Sequence, residues 1–102
     1  MDARTAKCLL VSKVLVADGM MTENERAFLD KVMTGMGLTP AERHAVLELE
    51  GWDEAEPIVA KLAEAEKRDL VQTMIEAAAA DGKLSALEAK AMKSITTALG
   101  LD

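Results

Sequence analysis

The chain has 102 residues, a net charge of −6 and hydrophobic residues at half of its positions. That is one domain with enough apolar material for a core, which excludes a disordered chain. The negative balance excludes non-specific attraction to nucleic acid or anionic lipid, and a single cysteine, Cys8, excludes an internal disulfide.

In chain order, the first element is the apolar segment TAKCLLVSKVLVA, residues 5–17, whose valines suit a strand as well as a helix. Asp18-Gly19 follows as a turn, with Gly free to take positive φ. Thr22 and Glu25 form a capping box that opens a helix running to Met36, with Phe28, Val32 and Met36 along one face. Met21 is expected to pack as a hydrophobic staple and Met20 to face solvent. After Gly37, Thr39-Pro40-Ala41-Glu42 joins a second capping box to a proline at the first helical position, predicting a helix to about Leu49. Gly51 breaks it. Trp52 would suit a partner's anchor if exposed, but a tryptophan at a helix boundary is expected to pack over the edge of the core. Asp53 is expected to cap a short helix, because Pro57 is tolerated only near a helix start. A break near Ala65 separates this element from a helix reaching Ala80. Asp81-Gly82 and the Ser85–Glu88 capping box then lead into a last helix, with Ala91, Ile95 and Leu99 on one face, that ends before Gly100.

The two ends of this series repeat each other. An offset of 63 residues places Asp18-Gly19 on Asp81-Gly82, Thr22 on Ser85, Glu25 on Glu88, and Gly37-Leu38 on Gly100-Leu101. The valine-rich segment 13–17 falls on Glu76–Ala80, whose four consecutive alanines are poor in strands and favour helix, so both segments are read as helices. The predicted fold is all-α, a compact bundle of about six helices. It is built from two pseudo-two-fold-related helix–turn–helix units, 8–38 and 71–101, within one domain spanning 1–102. With one Phe, one Trp, no Tyr and seven Met, the core is expected to be filled by small and flexible side chains.

The turns resemble the second half of a calcium-binding EF-hand loop. Setting Gly19 at loop position 6 puts Asp18 and Glu25 at positions 5 and 12, but positions 1 and 3 are then Val14 and Val16, and Ala77 and Ala79 in the second copy. Essential carboxylates are missing, so an EF-hand is rejected. There remains an oxygen-rich cluster of Asp18, Glu25, Asp81 and Glu88 as a candidate site for Ca²⁺ or Mg²⁺, set against a purely capping role that already accounts for each residue. His44 lacks a second His or Cys for zinc, Cys8 lies among apolar neighbours without a base, and the glycines of MTGMGLT are not followed by the lysine of a phosphate loop. No enzyme is expected.

The stretches VLVADGMMTENERAFLDKVMTGMGLTPAE and MIEAAAADGKLSALEAKAMKSITTALGL resemble the two halves of a TerB-like domain. The resemblance implies an all-helical domain with pseudo-two-fold symmetry, associated with tellurite resistance, and metal binding at the acidic turns, here Asp18, Glu25, Asp81 and Glu88. The function expected is a non-catalytic interaction or scaffold module in tellurite or other stress response. The alternative is a divalent-cation-responsive protein, and no other cofactor is expected. Residues 42–56 carry six acids and one base, which suits a basic protein partner. Self-association as a homodimer stays open. The longest uncharged run, Val32–Ala41, is half the ~20 residues a bilayer span requires, so membrane insertion is not expected. The N-terminus does not read as a signal peptide, and the lone cysteine suits a cytoplasmic setting.

Overall fold

Four helices begin where a side chain supplies a cap. The computed structural model describes residues 1–17, 19, 21–80, 82 and 84–101. Among them are six helices and no strand: α1 (Ala3–Leu15), α2 (Glu23–Gly35), α3 (Pro40–Leu47), α4 (Trp52–Ala60), α5 (Glu64–Ala78) and α6 (Ala86–Ala98). Asp2, Thr22, Thr39 and Ser85 cap α1, α2, α3 and α6, each accepting a hydrogen bond from a backbone amide of the first turn that has no intrahelical partner. The bounds of α2 and α6 differ by the same offset of 63 residues that relates their sequences.

The middle of the chain departs from expectation in three places. Helix α3 stops at Leu47, because Leu49 takes a left-handed conformation (φ 55°) and the amide of Glu50 turns back to the Ala45 carbonyl at 2.9 Å. Helix α4 begins at Trp52 with Gly51 (φ 76°) as its cap. The Glu54 amide is already bonded to the Gly51 carbonyl at 2.9 Å, so Asp53 lies in the first turn, where the positive end of the helix dipole favours it. The break before α5 covers residues 61–63 rather than Ala65, with Ala63 as an N-cap without a side-chain bond.

Helix α1 is the centre of the bundle and packs against each of the other five. Its sequence explains this position: Cys8 to Ser12, Val14 and Leu15 are buried on every side of the helix, as in a helix surrounded by protein. Around it the core is completed by Leu29 and Met33 of α2, Val46 of α3, Val59 of α4, Leu70 and Met74 of α5, and Met92 and Ile95 of α6. Ala6, Ala55, Ala77 and Ala78 are fully buried and allow close helix approach, as the composition suggests. Polar ties lock the helix ends. Lys67 Nζ reaches the Leu99 carbonyl at 2.9 Å and the Ala60 carbonyl at 3.4 Å, placing a cation at the C-terminal ends of α6 and α4. Arg4 donates to the Met36 carbonyl at 2.9 Å, and Arg43 of α3 bonds Asp30 and Thr34 of α2. Among the described residues no helix is long and apolar enough to cross a membrane.

Candidate functional site

The site is built from two turns and the helices they start. Gly19 and Gly82 both have positive φ (112° and 87°), a conformation that costs other residues about 1 kcal/mol or more. Each turn then delivers a capping box. Thr22 Oγ1 accepts from the Glu25 amide at 3.1 Å, while Glu25 Oε1 accepts from the Thr22 amide at 2.9 Å. Ser85 Oγ and Glu88 do the same at 3.0 Å in both directions.

A third capping box, Thr39–Glu42, lies at the surface, whereas these two do not. Glu25 and Glu88 are each only 2% exposed. Their burial follows from helical phase: Glu25, Leu29 and Met33 form the stripe of α2 that faces the core, and Glu88, Met92 and Ile95 form that of α6. Phe28, Val32 and Met36, the face expected for α2, are the half-buried flank of this stripe. On α6, Ile95 and Leu99 are buried as expected and Ala91 is partly so.

The Glu88 carboxyl lies beside that of Glu25, close enough to act on its ionisation. Desolvation raises the pKa of Glu25 to about 7; the neighbouring Glu88 carboxyl pushes the same way, and the Thr22 hydrogen bonds oppose it. Oε2 of Glu88 is buried and meets no donor among the described residues. What those residues leave unsupplied there is positive charge or a proton. Two buried carboxyl groups side by side are held either by one shared proton or by a cation. The oxygen donors fit a hard divalent ion such as Ca²⁺ or Mg²⁺.

Asp18 and Asp81, the other members of the sequence-derived cluster, lie outside the described residues, as does Met20. Among the described residues no group of three or more His, Cys, Asp or Glu side chains is assembled. The structure thus brings together Glu25 and Glu88 out of the four. His44 is exposed on α3. Cys8 is buried, its thiol pKa pushed up to about 11 by desolvation, which suits a small hydrophobe rather than a nucleophile.

The family model described as "Tellurite resistance protein TerB" matches residues 4–102. The chain belongs to the TerB family. No curated protein and no solved structure gives a significant match. The TerB match takes in both turns and both buried glutamates, which are the parts of the sequence that carry the resemblance.

The sequence does hold a signal for the buried pair. Glu25 precedes Leu29 and Met33 at intervals of four, and Glu88 precedes Met92 in the same way. That phase turns a glutamate toward the core but does not by itself bury it, since Glu42 precedes Val46 at the same spacing and stays half-exposed.

Proposed function

We propose that this TerB-family chain is a non-catalytic helical module that responds to a divalent cation. Glu25 and Glu88 would hold the ion, with Asp18 and Asp81 from the preceding turns as further oxygen ligands. One observation carries the reading: two buried carboxyl groups lie side by side, and one of their oxygens meets no donor among the described residues. Left unfilled above neutral pH, such a pair destabilises the fold, and costly buried charge gathers where function requires it. The ion would neutralise the pair and tie α2 to α6, so that cation binding strengthens the packing of the two repeat halves. Neither glutamate needs to leave its cap, since each capping bond uses only Oε1.

Calorimetric titration with Ca²⁺ and Mg²⁺, paired with thermal melts, tests this. At tenfold excess over Kd, binding adds about 1.4 kcal/mol. For a domain of this size that raises Tm by about 5–10 °C. Glu25→Gln/Glu88→Gln should abolish both signals. No heat and no change in Tm at millimolar ion would remove the proposal.

A second reading is an interaction scaffold in tellurite or other stress response that meets a basic partner without any ion. It is supported by the exposure of Glu48, Glu50, Asp53 and Glu54 on one short stretch.

A further inference from the structure

Trp52 does not pack down over the core as its sequence position suggests. It heads α4 and is 44% exposed. The ammonium of Lys13, from α1, sits 3.9 Å from the centroid of its ring, and the same Nζ is 3.5 Å from Oε1 of Glu56. The indole is therefore a cation acceptor within this structure, and much of it remains open to solvent.

Lys13 apart, the charged residues beside the ring in the chain are of one sign. Glu48 and Glu50 immediately precede it in the chain, Asp53 and Glu54 immediately follow, and all four are exposed. None of them forms an ion pair among the described residues. Between Glu48 and Glu56 the sequence has five acids and no base. An exposed tryptophan is the residue type that most often anchors an interface. A neutral apolar partner closing over this one would desolvate carboxylates without compensating them, and an anionic partner would be repelled. A lysine- or arginine-rich segment meets both demands: one cationic side chain stacks on the indole while its neighbours pair with the flanking acids.

We infer that the exposed part of Trp52, together with the exposed acids beside it in the chain, Glu48, Glu50, Asp53 and Glu54, is the docking surface for a Lys/Arg-rich segment of a protein partner. This rests on the interaction-module reading and does not require the cation.

The test uses the full chain and a fluorescein-labelled nonapeptide of alternating Arg/Lys and Gly/Ser. Trp52 is the only tryptophan, so its emission reports contact directly. Saturable change in both Trp emission and peptide anisotropy, weakening as salt is added, is the expected result. Neutralising the flanking acids with Glu48→Gln, Glu50→Gln, Asp53→Asn and Glu54→Gln should weaken binding by about tenfold or more, and Trp52→Leu by about threefold or more. A variant of equal net charge altered elsewhere, Glu23→Gln, Glu64→Gln, Asp69→Asn and Glu76→Gln, should stay within about twofold of the parent. Equal weakening in the two charge variants overturns the inference, since net charge alone would then explain binding. Undiminished binding to the flanking-acid variant also overturns it while leaving a basic partner in place at another surface. Absence of any binding overturns both the surface and the basic-partner reading. Thermal melts of each variant confirm that it is folded.

Discussion

The side chain of Glu25 meets that of Glu88 in the interior, although each is also the closing member of a capping box on its own helix. A residue pair that the chain writes twice, at equivalent positions, thus becomes a contact between the copies. The physics of that contact governs how the domain responds to pH.

Burial holds the pKa of Glu25 at about 7, above its ordinary 4.5. Between those values the folded chain keeps a proton that the unfolded chain has released. The resulting stability is full below the unfolded value and is lost as pH climbs through 7. The unfolding free energy from denaturant titration should therefore rise when pH falls from about 8 to about 5, by at most about 3 kcal/mol, and the midpoint with it. Asp2 acts in the opposite sense. The Thr5 amide and then the Arg4 guanidinium hold its carboxyl well below the usual range, so its contribution disappears only in strong acid. A midpoint that drops on going from about pH 8 to about pH 5 contradicts the assignment.

Glu25→Gln should stabilise the protein at about pH 8, by about 1–2 kcal/mol, and flatten the pH profile. Glutamine can still accept from the Thr22 amide, and its own amide can donate to Glu88, so the cap survives while the buried charge is removed. Equilibrium denaturation of parent and variant at two pH values decides the matter. Loss of stability at high pH would count against a like-charged pair.

Gly19 and Gly35 should respond in opposite directions to alanine. A Cβ on either meets nothing within 4 Å, so contacts do not distinguish them. Gly19 has positive φ, and Gly19→Ala should cost about 1 kcal/mol or more through backbone strain alone. Gly35 ends α2 in ordinary helical geometry, and Gly35→Ala should gain about 0.5–1 kcal/mol. Thermal melts of the two variants, run in parallel, should bracket the parent.

Leu9→Ala and Leu87→Ala remove the same atoms from different places. Leu9 is fully buried at the centre of the bundle, and its truncation should cost about 2–5 kcal/mol. Leu87 is 53% exposed, and its truncation should stay within about 0.5 kcal/mol. Denaturant midpoints measure both.

Much of the fold is readable because its signals are local. The boxes Thr22–Glu25, Thr39–Glu42 and Ser85–Glu88 announce helix starts from four residues each, and Gly37 and Gly100 mark ends in the same way. The repeat turns an ambiguous valine run into a helix by comparing it with alanines. Burial is decided elsewhere. Nothing within four residues tells Glu42, at a half-exposed cap, from Glu25, at a buried one; the difference lies in which helix packs opposite. Trp52 is misjudged for the same reason, since a lysine from α1 covers its ring instead of the core. Met21 packs against the core, whereas Leu84, its counterpart, is 46% exposed, so equivalent sequence does not secure equivalent surroundings.

The placement of α1 has a consequence for how the chain comes off the ribosome. Helix α1 is made before the other five helices and touches all of them, α6 included. Its leucines and valines therefore need provisional neighbours or a chaperone until α6 has emerged. A nascent chain halted before Ser85 lacks one wall of that enclosure, which makes the emergence of α6, rather than growth of any earlier helix, the event that commits these six helices to their native packing.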